Sequence, residues 1–294
     1  MTRRRLDAVL LLDKPRGLSS SAALQVAKRL FGAQKAGHAG TLDPLASGLL
    51  PVLFGEATKF ARFGLDSDKE YLAEVRLGAT TDTGDAEGGV LERRAVDADD
   101  ARIARALDRF RGEIDQVPPM YSALKRDGRP LYELARAGKS VERAARQVTI
   151  HELEIVERAG DALRLRIRCS KGTYIRQLAA DLGAELGCGA YLEGLRRTAA
   201  AGYRLEQAVA LEELQAMDMA GREARLLPPD GLLAGLPRLE LDTEQAGRFL
   251  NGQAVAVAAP AGPCRVYGRS GPLLGVGEAG AAGALRPRRL LARG

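Results

Sequence analysis

Residues 35–60 read KAGHAGTLDPLASGLLPVLFGEATKF. The stretch holds His38, one of 2 histidines in the chain, and sets Gly37, Gly40 and Gly48 around a single carboxylate, Asp43. Pro44 follows that aspartate directly, which predicts a loop or turn rather than a helix interior. The proline also pushes Asp43 towards extended backbone angles. The run LLPVLF predicts a short buried strand. One acidic side chain is therefore expected in a rigid loop at the mouth of a buried element, a common way of presenting a catalytic group. An Asp-Pro turn opener needs no chemistry to explain it, however, so the flanking sequence has to decide.

Upstream, LDAVLLLD at residues 6–13 predicts a buried strand, and KPRGLSS a turn in which Ser19, Ser20 or Ser21 caps the helix SAALQVAKRLF. Downstream, YLAEVRLG alternates as a half-buried strand does, with Tyr71 opening it. GATTDTGDAEGGV is rich in Gly, Thr and Asp but lacks the twelve-residue calcium-loop pattern. DADDARIARALDRFRGEI predicts an Asp-capped helix. The next region, from VPPMYS to about residue 148, interleaves Lys125, Arg126, Arg129, Arg136 and Lys139 with Tyr121 and Tyr132. That pattern suits RNA, where phosphates need charge and unpaired bases need flat partners, and equally a solvated surface excursion. LRLRIRC has period two, Gly172 breaks it, and YIRQLAADLGAEL predicts a helix ending near Gly187. Tyr174 and Arg176 thus fall at a strand-to-helix junction, where an arginine ordinarily makes a surface salt bridge. LLPPDGLLAGLP marks a boundary, and the short apolar runs after it predict a small β-rich module.

At 294 residues, with 46% hydrophobic side chains, the chain is long enough for a main domain and a smaller one. The net charge is +6 and the pI about 9.4, which favours a polyanionic partner. Arg164, Arg166, Arg168, Lys171 and Arg176 follow one another without an intervening acid, and the ends read TRRR and RPRRLLARG, a spread that suits a phosphate backbone. The 3 cysteines, Cys169, Cys188 and Cys264, form neither a zinc spacing nor a disulfide framework. Without a signal peptide or a long apolar run the protein is expected in the cytoplasm, away from membranes.

GHAGTLDPLASGLLPVLFGEATK resembles the signature of the TruB family of bacterial tRNA pseudouridine synthases, which modify the uridine at position 55. DKPRGLSS, DKEYLAEVRLG, KGTYIR and GCGAYLEGLRRT resemble further motifs of that family, in the family's order. The resemblance implies an α+β pseudouridine-synthase fold, with a central mixed, largely antiparallel sheet flanked by helices and a small C-terminal PUA-like domain. It implies a catalytic domain over 1–225 with an RNA-facing insertion at about 118–148, mobile without RNA, then a linker over 226–236 and the RNA-binding module over 237–294. It makes Asp43 the nucleophile, Arg176 its partner and Tyr71 the residue stacking on the target base. Tyr174 and Leu195 line the pocket, His38 faces the RNA, and KPRGLSS supports the active-site loop. Where many members have Gly-Ala-His, this chain has Gly189-Ala190-Tyr191, which puts local RNA contacts in question.

The implied reaction breaks the C1′–N1 bond of a flipped-out uridine, turns the base and joins C1′ to C5, so no cofactor and no metal are expected. Asp43 must be ionised for it, and a guanidinium nearby would offset the desolvation that raises a buried carboxyl. The expected partner is tRNA, through its T-stem and T-loop, bound by a monomer without guide RNA. The rival readings are an RNA-binding tRNA-folding chaperone in which catalysis is secondary, a guide-dependent relative, and a metal-dependent hydrolase on the DTGD loop, which has too few ligands.

Overall fold

A computed structural model describes residues 3–292 except 123, 127, 137, 140 and 270, and no side chain at 125, 126, 130, 132 or 136. The side chains of Lys125, Arg126, Tyr132 and Arg136, which the sequence reading turns towards RNA, therefore lie outside the described residues.

The main sheet is built from β1 (Ala8–Lys14), β2 (Ala36–His38), β3 (Ala46–Phe54), β4 (Lys69–Leu77), β5 (Gly112–Gln116), β6 (Arg146–Ala159), β7 (Ala162–Cys169), β8 (Ala190–Ala200), β9 (Val209–Ala210) and β10 (Leu226–Leu227), with a two-residue strand, Tyr203–Arg204, on the end of β8. Its path runs β9-β1-β3-β8-β4-β7-β6-β5, with β2 paired to β3 and β10 to β1. Only β9–β1 and β3–β8 along that path are parallel, so the sheet is mixed and largely antiparallel, as expected. β1 and β3 are nearly continuous apolar runs because both of their faces are covered, whereas β4 alternates with Lys69, Tyr71, Ala73, Val75 and Leu77 inward.

Three helices pack on the sheet. α1 (Ser20–Leu30) is capped by Ser19, whose hydroxyl accepts from the Ala22 amide. α2 (Asp100–Asp108) is capped in the same way by Asp99. α3 (Ile175–Leu186) ends where Gly187 turns left-handed at φ 78°. α2 and α3 share one core with β4, β7 and β8, through Ile103, Leu107, Leu178, Leu182, Ala73, Leu165 and Leu192. No helix among the described residues is long and apolar enough to cross a membrane.

A second sheet holds β11 (Arg238–Leu241), β12 (Val255–Ala256), β13 (Gly262–Gly268), β14 (Leu273–Ala279) and β15 (Ala284–Leu290), in the order β11-β13-β14-β15-β12. The helix α4 (Thr243–Leu250) covers it with Phe249. The stretch 226–236, expected as a linker, is packed rather than free. Leu226 and Leu227 pair with β1, and Leu232 and Leu233 are buried in a core that joins Val9, Leu53 and Phe60 to Tyr267, Leu273 and Val276 of the second sheet. Short apolar runs broken by Gly and Pro look like a spacer in sequence, and only the shared core reveals that they are mortar.

The arginine run on β7 is already partnered. Arg164, Arg166 and Arg168 lie opposite Glu157, Glu154 and Glu152 of β6, at 3.9, 3.4 and 2.8 Å, and Lys171 reaches Asp66 at 2.8 Å. The acids that the run lacks in sequence come from across the hairpin, so this face is charge-balanced and is not the open basic surface expected from the sequence.

Candidate active site

Asp43 sits in the loop between β2 and β3. The Ala46 amide donates to the Asp43 carbonyl at 3.0 Å, closing a turn with Pro44 at its second position. The KPRGLSS segment grips the same loop. The Ser20 hydroxyl accepts from the Leu42 amide at 2.7 Å and donates to the Leu42 carbonyl at 2.9 Å, while the Gly17 amide donates to the Pro44 carbonyl at 2.8 Å. Lys14 is fully buried and spends its ammonium on the carbonyls of Pro15 and Leu18. Burial pulls it down to about 8 against the attraction of Asp43. Its place is beneath the loop, in a bracing role.

Arg176, in the first turn of α3, points back at the loop. Its Nη2 lies 2.9 Å from Oδ2 of Asp43, and its Nη1 3.3 Å from Oδ2 of Asp85. It also donates to the carbonyls of Tyr121 at 2.7 Å and Thr83 at 3.3 Å. Asp85 belongs to the GATTDTGD loop and is itself fixed by the Thr83 hydroxyl at 2.6 Å and the Glu87 amide at 3.1 Å. The Asp43 side chain, by contrast, is 46% exposed. The sequence reading expected a buried carboxylate; in the free chain the carboxylate stands at an open mouth and only its arginine is sealed.

That mouth opens into a cleft of about 330 Å³ lined by Asp43, Tyr71, Tyr174, Arg176 and Leu195 together with Lys69 and Arg197. Five of the six residues singled out from the sequence thus meet in one place. Tyr71 is buried, which raises its phenol against the pull of Arg197. Tyr174 caps the start of α3, and Gln116 of β5 clasps its backbone, accepting from its amide at 2.8 Å and donating to its carbonyl at 3.1 Å. Leu195 pairs across the sheet with both Ala46 and Ala73.

His38 is the exception. It lies on β2 and lines an adjoining depression with Asp43, Thr83, Asp85, Glu87 and Tyr121, not the cleft itself. Its Nδ1 is buried without a partner among the described residues. Burial, assisted by Arg197, keeps its pKa below the ordinary histidine value. Tyr191 stands opposite Arg76 on the strand face turned away from the cleft, so the departure from the family pattern does not touch the pocket.

Sequence reasoning passed over Asp85, Lys69 and Arg197. Lys69 donates to the carbonyls of Gly64, Leu65 and Ser67, and burial lowers it to about 8. Arg197 is 1% exposed and donates to the carbonyls of Leu49 at 2.8 Å, Gly40 at 3.0 Å and Thr41 at 3.3 Å. Both were visible as charges in phase with an inward row, Lys69 with Tyr71 and Ala73, Arg197 with Leu195.

Residues 28–175 match the family model described as TruB family pseudouridylate synthase (N terminal domain). Residues 176–234 match tRNA pseudouridylate synthase B C-terminal domain, and residues 237–291 match Pseudouridine synthase II TruB, C-terminal. A protein named tRNA pseudouridine synthase B from Aromatoleum aromaticum is 57% identical over 290 residues, covering 98% of this chain and 94% of its own. One of the same name from Burkholderia mallei is 56% identical over 302 residues, covering both chains completely at 100%. Among solved structures, a chain of an H/ACA RNP bound to a substrate RNA containing 2′-deoxyuridine is similar in fold, with a TM-score of 0.74 at 23% identity over 97% of this chain and 85% of that one. A chain of a Cbf5-Nop10-Gar1 complex has the same TM-score of 0.74 at 25% identity, over 96% and 84%.

Proposed function

We propose the chemistry of this chain from one premise: it belongs to the TruB family of pseudouridylate synthases. It is an isomerase that turns uridine into pseudouridine in tRNA. The target is the uridine at position 55 in the T-loop, and Asp43 is the nucleophile. The observation that carries this reading is the Asp43 carboxylate, tied on one side by Arg176 and open on the other to the cleft.

Uridine and pseudouridine have the same atoms and the same oxidation state, so the reaction consumes no electron carrier and no group donor. It needs a group that meets an electron-poor sugar or a detached base, and a fixed carboxylate supplies one. Arg176, 2.9 Å away, pairs with that carboxylate and aims it. At about 330 Å³ the cleft falls in the size range of small-ligand sites, about 300–1,000 Å³, and takes one nucleoside rather than a stacked duplex. The uridine must therefore leave its stack, at a cost of a few kcal/mol. The Tyr71 ring offers it a stacking surface, and Leu195 and Tyr174 border the same space. With the Asp43 side chain 46% exposed, water exclusion falls to the entering base and its RNA.

The test is tritium release from tRNA carrying 5-tritiated uridine. Asp43→Asn is expected to abolish release while RNA affinity stays nearly unchanged. Substantial residual turnover would remove Asp43 from the role. Binding should also weaken with salt, with a log–log slope of about −0.7 to −0.9 for each phosphate contacted.

A further inference from the structure

β8 runs between β3 and β4, and Arg197 is one of three residues, with Leu195 and Arg196, paired to both. In the ladder it is paired with Gly48 of β3 on one side and with Tyr71 of β4 on the other. At Gly48, φ is 101° and an added Cβ would stand 2.4 Å from the Arg197 carbonyl oxygen, so the two backbones are in close contact. Directly opposed residues on antiparallel strands put their side chains on one face, so the Arg197 guanidinium and the Tyr71 hydroxyl are neighbours that border the same cleft. The remaining reach of the guanidinium goes to the loop that carries Asp43, at the carbonyls of Gly40 and Thr41, and to Leu49 on β3.

We infer that Arg197 is a positioning residue for the isomerisation, fixing the Asp43 loop and the Tyr71 hydroxyl in one frame and turning the phenolic proton into the cleft. A guanidinium only donates. Facing such a group, the Tyr71 oxygen turns its lone pairs to it, and the one O–H of that tyrosine is left for another partner. The cleft is the polar space that Tyr71 borders, and a pyrimidine brings carbonyl acceptors into it. Arg197 is 1% exposed, so it performs this without meeting solvent. A lysine in its place keeps the charge but cannot serve three carbonyls from one planar fork. The inference deepens the reading of Asp43 and Tyr71 given above and rests on it.

A double-mutant cycle tests it, with Arg197→Lys and Tyr71→Phe read by single-turnover tritium release and by RNA affinity. Arg197→Lys is expected to slow the reaction by about 10²-fold, the scale of a small misplacement of reacting groups, with RNA affinity held within about threefold. Tyr71→Phe should then cost much less in the lysine background than in the wild type. Losses that multiply to within about twofold of independence would overturn the inference, as would RNA affinity falling as far as the rate. If Arg197→Lys does not fold, Tyr71→Phe alone decides. It takes the hydroxyl away from beside a buried guanidinium and should lower the melting temperature by several degrees, and an unchanged value would overturn the inference. An active Asp43→Asn enzyme would instead remove the underlying assignment. Independent losses beside an inactive Asp43→Asn would remove only the role of Arg197.

Discussion

The Arg176 guanidinium stands 2.9 Å from the Asp43 carboxylate, with the arginine side chain 8% exposed and the aspartate 46%. A sealed cation thus holds an open anion. The cost of burying the cation is met by Asp85, 3% exposed on its other side, and by two backbone carbonyls. Asp43 is left with one oriented ion pair and free access to the cleft, as the nucleophile role proposed for it requires.

Arg176→Lys should therefore disable the enzyme although it conserves charge. A lysine ammonium is a point donor and cannot span Asp43, Asp85 and the carbonyls of Thr83 and Tyr121 together. Single-turnover rates are expected to fall by about 10²-fold or more, with RNA affinity within a few-fold of wild type. A lysine variant of near wild-type rate would show that charge alone suffices.

Asp85→Ala is expected to act on stability first. It leaves Arg176 buried beside one half-exposed carboxylate and strips partners from the Thr83 hydroxyl and the Glu87 amide. Removing one member of a buried pair costs roughly 3–5 kcal/mol, which urea denaturation would read directly. A loss below about 1 kcal/mol would mean that water replaces the carboxylate freely.

Arg166→Ala should leave tRNA binding within about twofold and the salt slope unchanged, because Arg166 is spent on Glu154 and lies on a charge-balanced hairpin. A slope smaller by about one would return this hairpin to the RNA-binding surface.

The Asp43 loop, the Tyr71 strand and the Tyr174–Arg176 junction could be read because each is local: a proline, an alternation, a glycine break. Asp85 could not, since its burial is created by α3 arriving from some ninety residues further on, as Arg176 meets Thr83 at a separation of 93. The β7 arginines misled for the related reason that their carboxylates lie on β6, 12 residues away for Arg166 and 16 for Arg168. Lys69 and Arg197 break the rule that inward positions are apolar, and such breaks are expected where a strand serves a site. The packing of 226–236 depended on a core shared between two sheets, which no local pattern encodes.

His38 supplies the pH test. Burial and the nearby Arg197 hold its folded pKa below the ordinary 6.5, so it is neutral at pH 7. As pH falls below 6.5 the unfolded chain takes up this proton before the folded chain does. Stability therefore declines with acidity until the folded pKa is also passed, and the decline stops there. His38→Gln removes this contribution and leaves the rest of the chain as it is. The wild-type advantage over His38→Gln, measured by urea unfolding, should be constant from pH 8 to about 7 and shrink as the pH falls below about 6.5. A difference that stays level below about pH 6.5, or grows, would mean that His38 carries its proton as readily folded as unfolded, and that its Nδ1, without a partner among the described residues, is not shielded from water.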